Sequence, residues 1–459
     1  MARSSKHNLT EGPIFGKLIS IAAPLTGGML MGMIYNLTDM FWLGRLGDGA
    51  PAAVAAVGAV GLLMWMSMAF QSFGRMGSEI GVSQNLGRGD EEAAKGFAGT
   101  AFTLNLILGI LYGLVMIFGR RYLIGFFDIQ DPQVVNHAEN YLMITGFAMP
   151  FFYLGGAGMG IYSGSGNART PFYFQATGII INMILSPILI FPAGLGVEGA
   201  AIATVIAQSI SISVAIWHIK FHKNRPFKEL KLLGIANKKT LKQIFKWVTP
   251  IAIESFFFTF LTMLVARFVA QFGTEAMAAQ RIGSQIESLS WLIGAGFASA
   301  ISAFTGQNFG AGKWSRIREG YKLSAIIMGI WGVIVTCILF FAGGSLFSIF
   351  MPGELEVIAM GANYMRILAA AQILGCLEGV TAGTFRGLGK TVPPSIVSVS
   401  INTVRMFAAF FLAQTAMGLD GIWWALTIGA ILRGTWIFIW LRWYVRKLPK
   451  EDVMEPNAV

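Results

Sequence analysis

Apolar runs of about 18 residues or more return along the whole chain, and no other feature of the sequence restricts the fold so strongly. A run of that length crosses about 30 Å of hydrocarbon as a helix. Spans are read at 15–43, 51–83, 93–118, 134–161, 171–193, 197–218, 245–271, 277–307, 316–342, 358–384, 393–416 and 420–443. The second and eighth exceed one membrane thickness and are expected to tilt or protrude. The first run is a full span with no small-residue cleavage site after it, so no cleaved leader is expected.

Composition agrees. Of 459 residues only 12% are charged, against roughly 25% in a soluble chain, so there is too little polar surface to coat a water-facing globule. Glycine, at 56 residues, suits close helix packing in lipid. Cys337 and Cys376 both lie in apolar segments and form neither a disulfide framework nor a metal pattern.

The net charge of +11 does not point to nucleic acid, because the basic residues fall in alternate loops. They sit at the N-terminus (Arg3, Lys6, Lys17), after span two (Arg88, Lys95) and after span four (Arg169). Nine lie between Lys220 and Lys246, and others follow span eight (Lys313, Arg316, Arg318), span ten (Arg386, Lys390) and the last span (Arg446, Lys447, Lys450). Arg120 and Arg121 are offset by Asp128 and Asp131. The positive-inside rule therefore places both termini in the cytoplasm, in a multi-pass protein of the inner (plasma) membrane.

The chain also repeats itself at about 223 residues. Gln84-Asn85-Leu86-Gly87-Arg88-Gly89 returns as Gln307-Asn308-Phe309-Gly310-Ala311-Gly312, and Asn140-Tyr141-Leu142 as Asn363-Tyr364-Met365. Tyr162-Ser163-Gly164-Ser165-Gly166 returns as Phe385-Arg386-Gly387-Leu388-Gly389, and Leu195-Gly196-Val197-Glu198-Gly199 as Met417-Gly418-Leu419-Asp420-Gly421. Six spans separate the copies, which makes them parallel repeats. The fold class expected is an all-α membrane protein of twelve transmembrane helices, in two six-helix lobes related by a pseudo-two-fold axis. The boundaries are 1–218 for the N-terminal lobe, 219–244 for a basic cytoplasmic linker and 245–459 for the C-terminal lobe. The repeat also removes Ser165 as a nucleophile, since its copy is Leu388 and the histidines (7, 137, 218, 222) lie at ends or loops. No enzyme is expected.

Ionisable groups at membrane depth are functional candidates, because each costs a few kcal/mol to insert. Asp39 is the clearest. Counting back by 3, 4, 7 and 11 gives Asn36, Tyr35, Gly32 and Gly28, which share its helical face. Asp39 therefore ends a small and polar stripe, about 9 Å from the loop at Arg45. A carboxylate away from bulk water can exist ionised in one state and protonated in another, as proton coupling requires. Glu254 and Glu378 are further candidates. Arg281 is a candidate substrate contact that can also pair with Glu287 or Glu254, and Arg75 with Glu79 reads as an i,i+4 pair. Arg405 and Arg433 have no role legible from sequence. Asn182 and Thr204 are polar groups in apolar helices. Met33, Met64 and Met68 are adaptable apolar contacts suited to varied ligands, and Phe147 and Phe151 add aromatic surface.

These motifs together resemble the MATE (multidrug and toxic compound extrusion) family, in its DinF-like branch, over nearly the whole chain. The resemblance rests on Tyr35-Asn36-Leu37-Thr38-Asp39-Met40-Phe41-Trp42-Leu43-Gly44-Arg45, on Gln84-Asn85-Leu86-Gly87 and on Gly164-Ser165-Gly166-Asn167. Gly196-Val197-Glu198-Gly199-Ala200-Ala201 and Arg386-Gly387-Leu388-Gly389-Lys390 complete it. It implies export of cationic, amphipathic drugs in exchange for H⁺ or Na⁺, with the first-helix carboxylate falling on Asp39 and its supporting Asn on Asn182. Asp39, Asn36 and Asn182 are then the expected proton-coupling set. Many members carry a second Asp before a Pro where this chain has Ser186-Pro187, which leaves Asp39 to act alone in the proton site. A Na⁺ site would use Glu254 with a helix-ten Asp, but that position is Gly375, one turn from Glu378. The expected coupling ion is H⁺, with Na⁺ through Glu254 and Glu378 as the alternative, and no cofactor. A flippase for lipid-linked oligosaccharides is the other alternative. The expected partners are drugs and membrane lipid, with the protein a monomer and no nucleic acid bound.

Overall fold

The computed structural model describes residues 8–129, 131–223, 225–234, 237–350 and 354–452, with the side chains of Asn36, Asp48 and Thr274 excepted. The described residues form thirteen α-helices: α1 (Ile14–Leu43), α2 (Ala50–Gly87), α3 (Glu91–Gly125), α4 (Pro132–Gly164), α5 (Arg169–Ile190), α6 (Gly196–Phe221), α7 (Lys238–Ala270), α8 (Thr274–Gly310), α9 (Trp314–Phe350), α10 (Leu355–Ala369), α11 (Gln372–Gly387), α12 (Val392–Ala413) and α13 (Gly418–Arg446). Eleven are long and apolar enough to cross a membrane singly, and α10 with α11 makes a twelfth span bent by 52°. Large apolar side chains stay uncovered on the helix surfaces, Phe118, Phe341 and Ile349 among them. Helices that close their own backbone bonds tolerate this only in lipid.

The tenth span was expected unbroken over 358–384, and the structure breaks it at residues 370–371. No proline forces the break. Polar side chains instead take up carbonyls that the helix releases: Thr336 donates to the Ala369 carbonyl at 3.1 Å and Gln372 to that of Leu368 at 3.4 Å. Such substitute donors make interruptions tolerable at membrane depth. The facing residue is Gly332, where a methyl would stand 2.7 Å from the Ile373 backbone. Its repeat partner Gly109 faces Pro150 in the same way, at 2.9 Å.

The chain forms two compact units, one of Met1–Asn8 with Ala23–Ala252 and one of Leu9–Ala22 with Ile253–Val459. In the first, α4 lies against α2 along Gly156, Gly160 and Gly164. A Cβ at Gly160 would meet the Arg75 carbonyl at 2.1 Å, and one at Gly164 the Glu79 carbonyl at 2.8 Å. In the second, α11 meets α8 along Gly379, Gly383 and Gly387. There a Cβ at Gly383 would meet the Ala298 carbonyl at 2.3 Å, and one at Gly387 the Ser302 carbonyl at 2.4 Å. Spacing small residues by four lets helix backbones touch, which drives association where lipid offers no hydrophobic effect.

The repeat holds at the level of single contacts. Asn140 donates to Glu198 at 3.0 Å and its copy Asn363 to Asp420 at 2.7 Å. Asn85 bonds the Gly81 carbonyl at 2.7 Å and Asn308 that of Phe304 at 2.8 Å. The turns after those asparagines both need a residue at positive φ, supplied by Gly89 (79°) and Gly312 (67°). The stretch before α7 also has a packed role: Phe227, Leu230 and Leu232 are buried in the first unit, and Thr103 of α3 bonds the Gly234 carbonyl at 3.2 Å.

Candidate functional site

Asp39 stands one turn before the end of α1 and is 8% exposed. α1 comes close to α5 at two glycines, where a methyl on Gly28 would sit 2.5 Å from Gln175 Oε1 and one on Gly27 3.2 Å from the Phe172 ring. One turn further on, Gly32 has no neighbour within 4 Å. The stripe that carries Asp39 thus runs from a tight helix contact into open space.

Three helices bring polar groups to the carboxylate. From α5, Ser186 Oγ donates to Asp39 Oδ1 at 3.1 Å. The Asn182 amide is oriented by what it faces. With its nitrogen toward α1 it donates to Asp39 Oδ1 at 3.2 Å and to Ser186 Oγ at 3.1 Å, and its oxygen accepts from Thr204 Oγ1 at 3.2 Å. Thr204, on α6, shares a 2.8 Å hydrogen bond with the Tyr35 hydroxyl. Tyr141 of α4 is buried in the core that also holds Leu43, Ile190 and Ala200, and interacts electrostatically with Asp39.

Asp39 therefore has three neutral partners, Ser186, Asn182 and the Tyr35 hydroxyl, and, among the described residues, no ion pair. Arg45 stacks over Phe41, 3.8 Å from the ring centroid. Dipoles thus solvate the carboxylate without neutralising it, so a proton or an arriving cation can.

The structure gathers Asp39, Tyr35, Asn182 and Thr204 as the sequence suggests, and adds Ser186 and Tyr141. Ser186 drew notice only as the residue replacing an Asp, and Tyr141 only as part of the repeated Asn-Tyr motif. The Asn36 side chain lies outside the described residues. Met33 and Met64 are half-buried, Met64 against the same core as Tyr141, while Met68 and Phe147 are exposed. Phe151 packs on a separate core with Leu154 and Phe174. Arg281 is exposed on α8, in the other unit, and among the described residues it forms no ion pair with Glu287 or Glu254.

The second unit has its own polar cluster. Ser395 of α12 donates to Glu254 Oε2 at 2.9 Å. Glu378 of α11 pairs with Arg433 of α13 at 2.7 Å, and Arg433 also donates to Asn402 at 3.0 Å. Glu287 of α8 accepts from Gln372 at 3.0 Å and from Trp291 at 3.2 Å. Glu254 and Glu378 thus have separate partners, and among the described residues no group of three or more acidic, His or Cys side chains is set to hold a metal ion.

Comparison with known proteins bears on both units. The MatE family model matches residues 24–188 and 250–411. The chain is 26% identical over 429 residues to "Probable multidrug resistance protein NorM" of Thermotoga maritima, covering 91% of this chain and 90% of that one. It is also 26% identical over 444 residues to "Probable multidrug resistance protein YoeA" of Bacillus subtilis, covering 93% and 94%. Among solved structures, "Crystal structure of MATE in complex with MaD3S" matches with a TM-score of 0.90 at 21% identity, covering 98% of this chain and 100% of that chain.

Proposed function

This chain belongs to the MatE family of transporters, and from that premise we propose that it exports lipophilic, cationic drugs in exchange for protons, with Asp39 as the exchanging group. One observation carries the reading: Asp39 is a buried carboxylate held by Ser186, Asn182 and Tyr35 with, among the described residues, no cation paired to it. The relatives named for multidrug resistance support drugs as the cargo.

Facing the cytoplasm, ionised Asp39 attracts the cation. Facing outward, it takes a proton from the acidic side and the drug leaves. A ligand shifts a two-state equilibrium only through unequal affinity for the states, so a group that changes charge couples proton to drug. Tyr35, Met33, Met64, Met68 and Phe147 supply apolar surface for the drug, at about 25 cal/mol per Å² buried. Large flat cations then bind through area, with charge a secondary aid, and selectivity is low. Both termini lie in the cytoplasm. Na⁺ drive through Glu254 is the weaker reading, because Glu378 is already taken by Arg433.

The deciding experiment reconstitutes the protein in proteoliposomes and follows ethidium transport under an imposed pH gradient or an imposed Na⁺ gradient. Transport on the pH gradient alone is the expected result. Transport absent there and restored by Na⁺ would reject proton drive and promote Glu254.

A further inference from the structure

The end of the first unit that carries Asp39 also carries an imidazole outside the Asp39 cluster. α1 ends there, and α4 and α6 begin there; on the positive-inside reading it is the outer end. In the second turn of α4, His137 Nδ1 faces Oε1 of Glu198, in the first turn of α6, at 3.5 Å. That nitrogen is sealed from solvent and, among the described residues, makes no hydrogen bond. The side chain as a whole is 31% exposed. One edge of the ring is therefore turned in to a carboxylate, and its exposure lies on the other atoms.

His137 stands one turn before Tyr141, on the same face of α4. Tyr141 interacts with both Thr204 and Asp39, Thr204 shares its 2.8 Å hydrogen bond with Tyr35, and Tyr35 bonds Asp39. Hydroxyls thus run from the turn beside His137 to the carboxylate. The other charges at this end have their own contacts. Glu139 faces Arg120 at 4.0 Å and Arg121 at 3.9 Å, Asp131 caps α4 through the Gln133 amide at 2.8 Å, and Arg45 stacks on Phe41.

The internal repeat singles out the histidine. Asn140 with Glu198, Tyr141 and Thr204 return as Asn363 with Asp420, Tyr364 and Thr427. Two residues do not return: Met360 takes the place of His137, and Val265 that of Asp39. The imidazole is present in the copy that has the carboxylate and absent from the copy that lacks it.

We propose that His137 collects the proton bound for Asp39, with Glu198 as its counter-charge. This role rests on the proton-exchange reading of Asp39. Imidazole ordinarily gains and loses a proton between about pH 5 and 8, so it can take one from the outer water and give it up again. Glu198 stabilises the ring while it is charged. The proton leaves His137 for the Tyr141 hydroxyl, and each hydroxyl in turn accepts one proton and releases its own. One proton arrives on Asp39, and His137 and the hydroxyls return to their starting forms.

The test follows ethidium transport in proteoliposomes under an imposed pH gradient, beside ethidium binding to the same variants in maltoside micelles. His137→Met introduces the residue that the second copy carries. It should slow proton-driven transport by about tenfold, less than a proton-transfer group in a closed site contributes, and leave ethidium affinity as in the parent. Raising the concentration of the impermeant buffer MES on the acidic side should restore the rate, because a mobile buffer delivers the proton in place of the ring. Glu198→Gln keeps an acceptor for Asn140 but not the charge, and should slow transport by a smaller factor; a parental rate there would overturn the counter-charge. A parental rate in His137→Met would overturn the proposal. So would a slow His137→Met that the buffer does not restore, or one with equally weakened ethidium binding, which marks a packing role. If His137→Met does not fold, His137→Gln decides by the same readouts. A parent that transports only on a Na⁺ gradient rejects proton exchange at Asp39 and this role with it. A parent driven by the pH gradient, with His137→Met unaffected, rejects this role alone.

Discussion

Ser186 Oγ donates to Asp39 Oδ1 across 3.1 Å, from a helix that begins 126 residues after α1 ends. A serine beside a carboxylate does what a second carboxylate cannot: it stabilises the charge instead of competing for the proton. Hydrogen bonds to charged groups contribute about 1.5–3 kcal/mol, and about 1.4 kcal/mol is tenfold in an equilibrium. Ser186→Ala leaves Asn182 and Tyr35 as partners and removes one bond to the charged form, and a proton then displaces bound cation more readily. Ethidium affinity should fall by about tenfold at neutral pH and recover in alkaline buffer. Unchanged affinity at neutral pH would mean that this bond does not bear on the charge state of Asp39.

The glycine stripes make a prediction about folding alone. A Cβ at Gly383 would meet the Ala298 carbonyl at 2.3 Å and one at Gly160 the Arg75 carbonyl at 2.1 Å, whereas Gly155, on the same helix as Gly160, has nothing within 4 Å. Overpacking typically costs about 1–3 kcal/mol. Gly383→Leu and Gly160→Leu should lower the melting temperature in detergent or abolish a monodisperse peak. Gly155→Leu should leave both as in the parent, and equal effects at all three positions would refute the packing argument.

Much of this architecture can be read from residue order. Span lengths and positions follow from apolar runs, because hydrocarbon thickness sets a minimum length. The repeat survives down to Asn140–Glu198 and Asn363–Asp420, where an amide on one helix meets an acid in the first turn of another in both copies. The break between α10 and α11 was not legible, because it depends on Thr336 from another helix reaching the Ala369 carbonyl. Ser186 was legible in part: it follows Asn182 by four residues and shares its helical face, but its bond to Asp39 emerges only when α5 meets α1. Arg433 was visible as a charge in an apolar span, but its partner Glu378 emerges only when α11 and α13 meet.

Orientation can be tested directly. The basic residues of the alternate loops place Lys223 and Lys450 on the cytoplasmic side, and both are exposed. In a background with Cys337 and Cys376 replaced by serine, Lys223→Cys and Lys450→Cys should react with a membrane-impermeant maleimide only after the cells are opened. Ready labelling of either in intact cells would reverse the topology.

The sharpest expectation concerns Asp39 itself. Asp39→Asn keeps the size of the side chain and can still accept from Ser186, but it holds the neutral form permanently. The protein should insert and fold, because the change removes a buried charge and not a packing group. Exchange of a proton for a cation needs a group that alternates between two charges, so proton-driven ethidium transport and drug resistance should both be lost. Asp39→Glu should retain part of the activity, since the titrating group survives about one methylene further from α1. Glu254→Gln should transport nearly like the parent under proton drive, because Glu254 lies in the other unit and bonds Ser395. The measurement is proton-driven transport by each variant in proteoliposomes at matched protein content. Parental transport by Asp39→Asn would make Asp39 a structural group held by Ser186 and Asn182, and the exchange mechanism would fail with it.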